Sequence, residues 1–319
     1  MFSRLAHFIC GVLLCANAHA QGFPNKPVRL VVPFPPGGGA DLVARAVTPK
    51  MAEFLGHPIV IDNRAGAGGV VGTEAAAKSA PDGYTMVLGG VTTIVMALTY
   101  PKLTFHPIDD FTPVGMIADI PNVFAVNAAS PYQTIADVIK AARDKPGSID
   151  YASAGSGTPG HLVCELFSSQ AGVKMTHVPY KGNAAAVNDV LGGQVPAMCN
   201  NLPGTLPHLK GGRIRILALT GTARSAFVPN VPTFAEAGVR GIESGTWFGL
   251  LVPVGTPQPI VQRLSSELGK SLNSAETKER LGAIGAVILP GTTSAHTARS
   301  ATERETWGAI VKKLDLKLD

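Results

Sequence analysis

The chain has 319 residues, room for two domains of ordinary size, with 45% hydrophobic and only 15% charged residues. That balance excludes a disordered chain and a coiled coil, and the 36 glycines and 25 prolines follow no period, which excludes collagen. The net charge of +5 is dispersed, with no run of five like charges and 6% aromatics, so the clustered basic stripe of a nucleic-acid reader is missing.

Residues 1–20 (MFSRLAHFICGVLLCANAHA) read as a signal peptide: one early positive charge, a short apolar stretch, and the small-x-small site Ala18-His19-Ala20. The stretch is far below the roughly 20 residues of a membrane span. A mature chain starting at Gln21, exported to the periplasm and soluble, is the expectation. Hydrophobic periodicity then places strands at 28–34, 58–62 and 85–89, and helices at 41–55 and 70–79. Further on come strands at 123–127, 149–154, 175–179, 195–200 and 214–220, and helices at 134–144, 160–171 and 184–191. After the apolar run 247–252 come helices at 258–272, 277–285 and 293–313. This alternation argues for an α/β protein with parallel sheets covered on both faces. A strand, a glycine-rich turn and a helix near residue 28 recur near residue 149, which suggests two similar domains. Crossings near 117–123 and 241–247 assign 21–121 plus 245–319 to domain 1 and 122–244 to domain 2.

Three strand-to-helix loops carry chemistry. In 33–41 (PFPPGGGAD), Pro35, Gly37, Gly38 and Gly39 bring bare backbone to a helix start, where unpaired N–H groups and the helix dipole favour an anion. A valine at Gly38 is expected to shut that anion out. Asp41 is either the helix N-cap or an acceptor for a cationic ligand group. No Gly-Lys-Ser/Thr follows, so this is not a Walker loop. In 152–162 (ASAGSGTPGHL), Ala154, Gly155, Ser156, Gly157 and Thr158 repeat the arrangement with hydroxyls added. Gly155-x-Gly157-x-x-Gly160 matches a dinucleotide fingerprint, but Tyr180-Lys181 stands where the acidic ribose partner belongs, so no cofactor is expected. His161 either contacts the ligand or braces a neighbouring loop. In 178–183 (VPYKGN), Tyr180 and Lys181 stand at a strand end, as do Thr92, Thr93 and Asn200. These groups suit an oxygen-rich anion rather than bond-making. No nucleophile elbow or His-Glu-x-x-His is present, and no metal-site spacing. The mature cysteines, Cys164 and Cys199, lie in apolar element interiors, the setting of free buried thiols, with a disulfide as the alternative.

The strings FPNKPVRLVVPFPPGGGAD, VIDNRAGAGGVVGTEAAAKSAPDGYTM, DDFTPVGMIA, YASAGSGTPGHL, HVPYKG, LGGQVPAMCNNLP and WFGLLVPVGTP, in this order, make the chain similar to the Bug family. These are the TctC-type periplasmic solute-binding receptors of tripartite tricarboxylate transporters. The resemblance covers essentially the whole mature chain. It implies a two-domain, type II-like periplasmic-binding-protein fold that closes on a ligand like a flytrap. It implies that the loops at 35–41 and 154–161 hold a ligand carboxylate, partly through waters. Two departures concern the rest of the ligand. Cys199-Asn200-Asn201 replaces the frequent Phe-Asp-Asn, which argues against a free ammonium, and Thr92-Thr93-Ile94-Val95 replaces a frequent His or Asn. The function so implied is capture of a small carboxylate (a di- or tricarboxylate, or an aromatic or aliphatic monocarboxylate) and its delivery to membrane permease subunits. The receptor is expected to be monomeric, without enzymatic activity, cofactor or metal. Rival readings are a sensor subunit presenting its ligand to a membrane kinase, and a periplasmic enzyme using the Gly155 loop.

Overall fold

The computed structural model describes residues 22–318, so the expected signal peptide lies outside the described residues. Two sheets divide the strands. The first holds β1 (Val28–Val32), β2 (Ile59–Asn63), β3 (Thr85–Gly90), β4 (Phe111–Ile120), β10 (Thr246–Pro253) and β11 (Val287–Ile288), in the order β11-β4-β10-β3-β1-β2. The second holds β5 (Asn122–Asn127), β6 (Asp150–Ser153), β7 (Thr176–Pro179), β8 (Ala197–Asn201) and β9 (Ile214–Leu219), in the order β7-β6-β8-β5-β9.

Neither sheet is all-parallel, which corrects the sequence expectation. β10 runs antiparallel to β3 and β4, and β5 runs antiparallel to β8 and β9. The cause is the way the chain changes sheets. Only Pro121 separates β4 from β5, so β5 enters the second sheet at the seam and runs away from it. β10 returns to the first sheet in the same manner. β1, β3, β6 and β8 instead run toward the seam, parallel to their β1–β2 and β6–β7 type neighbours, and release their following helices there.

The helices are α1 (Gly39–Leu55), α2 (Val70–Ala77), α3 (Val91–Thr99), α4 (Ile135–Asp144), α5 (Pro159–Ala171), α6 (Asn183–Leu191), α7 (Leu202–Lys210), α8 (Gln258–Asn273), α9 (Ala275–Ala283) and α10 (Thr293–Leu314). α1 shows why they pack. Val43, Val47 and Met51 recur at helical spacing and are all buried. β1 is buried along nearly its whole length, as a strand covered on both faces must be. The apolar interior crosses the seam: Val28, Leu30 and Val32 of β1 join one cluster with Met198 of β8 and Leu202 of α7. A second cluster joins Val91 and Ile94 of α3 to Phe124, Tyr151, Trp247 and Trp307. The two sheets therefore meet in a closed arrangement.

Candidate functional site

The space left between the sheets is a cavity of about 40 Å³, reached through a mouth of about 230 Å³. The two compartments share Phe34, Pro35 and Ala154. Five helices begin at the inner cavity: α1 with Gly38, Gly39 and Ala40, α3 with Thr92, α5 with Thr158, Pro159 and Gly160, α6 with Asn183, and α7 with Asn201. None of the five has a side chain hydrogen-bonded as its N-cap. Of the helices that begin elsewhere, α4, α9 and α10 are capped by Thr134, Ser274 and Thr292, while α2 and α8 also lack a side-chain cap. The remaining wall is made of Asn122, Asn200, Thr246, Phe34, Pro35, Ala154 and Phe248, and among the described residues no Asp, Glu, Lys, Arg or His lines the cavity. Positive potential here comes from helix ends and side-chain amide N–H groups rather than from charged side chains.

Glycine is required where walls come closest. A Cβ on Gly39 would lie 2.5 Å from Asn201 Oδ1 of the opposite sheet. A Cβ on Gly160 would lie 2.6 Å from the carbonyl oxygen of Cys199.

Several residues read from the sequence as ligand contacts instead hold the loops in shape. The N-cap of α1 is Gly38, with extended backbone, so Asp41 is not the cap. Asp41 is buried off the cavity and accepts hydrogen bonds from the Gly37 N–H (3.0 Å), Arg45 Nε (2.8 Å) and Asn63 Nδ2 (3.1 Å). Its three partners turn it into the loop and away from the cavity. Burial pushes its carboxyl up, but the bonds from Arg45, Gly37 and Asn63 together hold it below the usual range. The Gly37 N–H is spent on this brace. Thr93 donates to the carbonyl of Gly90 at 2.7 Å, whereas Thr92 faces the cavity.

The second loop is braced likewise. The Gly155 N–H donates to Ser153 Oγ at 3.2 Å, and Thr158 Oγ1 donates to the Gly155 carbonyl at 2.7 Å. The Gly157 N–H donates to His161 Nδ1 at 3.2 Å. His161 is buried and stacks on His177 with ring centroids 3.9 Å apart. Burial and the neighbouring His177 push its pKa down to about 3, so it stays neutral and keeps Nδ1 as an acceptor. It supports the loop; it does not line the cavity.

The mouth takes the rest. Gly155, Ser156, Tyr180 and Lys181 face residues 65–69 and Tyr100 across it. Tyr180 donates to Asp189 at 2.6 Å; burial, then this bond, push its hydroxyl up to about 12. Lys181 is exposed. Tyr100 Oη donates to the Ser156 carbonyl at 3.3 Å, joining the two sheets' loops.

Cys164 and Cys199 form a disulfide, Cα to Cα 5.9 Å, which corrects the expectation of free thiols. α5 packs on β8, and the bridge joins them just before Asn200 and Asn201 enter the cavity wall. Sequence reasoning placed Asn200 and Asn201 at a strand end facing the site but missed Asn122, Asn183 and Thr246 as wall residues. The available signal was a polar residue opening an otherwise apolar strand, as in Asn122-Val-Phe-Ala-Val.

The sequence model of the tripartite tricarboxylate transporter family receptor, TctC, matches residues 43–316. The chain belongs to the TctC family. This TctC-family chain is 35% identical over 313 residues to the protein BugT of Bordetella pertussis, covering 98% of this chain and 96% of BugT. The solved structure of Rpa4515 from R. palustris with adipate superposes with a TM-score of 0.89 at 36% identity, covering 92% of this chain and 99% of that one. MatC from Rhodopseudomonas palustris, with bound malate, superposes at 0.87 and 32% identity, covering 91% and 100%. The TctC chain thus has the two-lobed periplasmic-binding-protein fold, as expected from its sequence.

Proposed function

We propose that this chain is a periplasmic solute receptor that captures a small carboxylate between its two sheets and hands it to the permease of a tripartite-type transporter. The observation that carries the reading is the convergence of five uncapped helix starts on a cavity walled without a charged side chain. Each buried helix start favours an anion by about 0.3–2 kcal/mol, so several acting together supply the affinity a lysine or arginine would otherwise give. The adipate and malate bound by Rpa4515 and MatC support the same ligand class. The two lobes, 21–121 with 245–319 and 122–244, open to admit the carboxylate and close over it. Closure excludes water, which strengthens each N–H bond to the anion. The helix starts are aimed to hold, and among the described residues no nucleophile–base pair stands beside them, which supports a binding role over an enzymatic one.

Calorimetric titration with mono-, di- and tricarboxylates tests this. One-to-one binding with a rise in melting temperature is expected for at least one of them. Absence of heat and of thermal shift across the whole panel would sink the carboxylate reading.

A further inference from the structure

Two side-chain atoms in the cavity wall are buried and have no partner in the protein: Asn122 Nδ2 and Asn201 Oδ1. Asn122 is 1% exposed and Asn201 9%. A buried amide left unpaired is destabilising unless something arrives to complete it. The Asn122 side chain is anchored by Thr246 and its main chain by Thr220. Its Oδ1 accepts from Thr246 Oγ1 at 3.1 Å, its N–H donates to Thr220 Oγ1 at 3.0 Å, and its carbonyl accepts from the Thr220 N–H at 2.8 Å. Asn122 and Asn201 are direct partners in the antiparallel β5–β8 pair, so their side chains stand on one face of the sheet. The wall thus offers one unpaired donor and one unpaired acceptor side by side.

We infer that this pair selects a hydroxyl on the ligand, making the preferred solute a hydroxy-carboxylate. This rests on the carboxylate reading above and narrows it. A hydroxyl accepts from Asn122 Nδ2 and donates to Asn201 Oδ1, completing both. A methylene completes neither. An ammonium offers donors only; it leaves Asn122 Nδ2 unpaired and meets no carboxylate in a wall that has none. A keto oxygen completes Asn122 alone and ranks between hydroxyl and methylene.

The experiment is calorimetry with skeleton-matched sets of three- to six-carbon mono- and dicarboxylates carrying H, OH or NH₃⁺ at one carbon, such as succinate, malate and aspartate. On the skeleton that binds best, the hydroxyl member is expected to bind about tenfold or more tighter than the unsubstituted one, and the ammonium member weakest. Asn122→Leu should erase the difference between hydroxyl and hydrogen. Asn122→Asp, which keeps the shape, should raise the ammonium member above the hydroxyl one and guards against a leucine variant that fails to fold. Unsubstituted ligands binding as tightly as hydroxylated ones, or an unchanged ranking in Asn122→Asp, would overturn the inference and leave the receptor reading standing. Failure of every set to bind would overturn both.

Discussion

Gly39→Ala separates folding from closure. Gly39 opens α1 with ordinary helical backbone, so alanine there is neutral or slightly favourable to the helix. The three nearest atoms to the new Cβ all belong to Asn201 across the cavity, at 2.5–2.7 Å. Normal contact needs about 1 Å more, and the Asn201 main chain is fixed in the β5–β8 ladder, so its side chain must swing away or the lobes must stay ajar. Overpacking of this kind costs about 1–3 kcal/mol, which at about 1.4 kcal/mol per decade means binding roughly 5- to 150-fold weaker. Gly38→Ala is the matched control. Its Cβ would lie 3.5 Å from Asn183 Cβ, an ordinary contact, so a single methyl is tolerated there. Calorimetry with the tightest carboxylate, paired with a thermal melt of the free protein, reads both effects. A Gly39→Ala protein that binds normally, or a Gly38→Ala protein equally impaired, would refute the reasoning.

Asp41→Ala should lower unfolding stability by about 1–3 kcal/mol and weaken ligand binding, because the Gly37 N–H and Asn63 lose their acceptor; unchanged urea unfolding would contradict the brace. Reducing the Cys164–Cys199 bridge, which spans 35 residues, should destabilise the fold by about 3–4 kcal/mol on the chain-entropy view, visible as a lower melting temperature with reductant. Burial lowers the pKa of His161 to about 3 and of His296 to about 4, so the folded protein keeps both neutral while the unfolded chain protonates them near 6.5. Their contribution is therefore complete above pH 6.5 and is lost as pH falls toward 4, by about 1.4 kcal/mol per pH unit for each histidine. Urea titrations at pH 7.5 and 5 should show that decline, and equal stabilities would argue against it.

The glycine-rich loops were legible because three successive glycines before an amphipathic run have few uses besides a helix start with exposed N–H groups. The amphipathic helices were legible for the same local reason. α3 was not, since the β-branched run Val91-Thr-Thr-Ile-Val after the strand gives no helical signal; its helix is imposed by burial against α10 and the second apolar cluster. β4 was hidden by Pro113 and Gly115, which weaken any strand reading, yet its pairing with β10 overrides them. α7 carries Pro203 in its first turn, where proline fits, and Pro207 near its end, so its pattern looked like loop. The disulfide and the roles of Asn122 and Thr246 depend on which elements meet across tens of residues, and no local pattern encodes that.

The uncharged wall has a consequence for the medium in which such a receptor works. A site built on lysine or arginine must shed counter-ions when its ligand arrives, so its grip loosens as ionic strength rises. In the proposed binding mode the anion would meet peptide dipoles inside the protein, which carry no counter-ions to release and which mobile ions scarcely screen. A receptor that binds in this way would keep its occupancy tied to solute concentration in dilute and salty surroundings alike, which a titration at two ionic strengths would check.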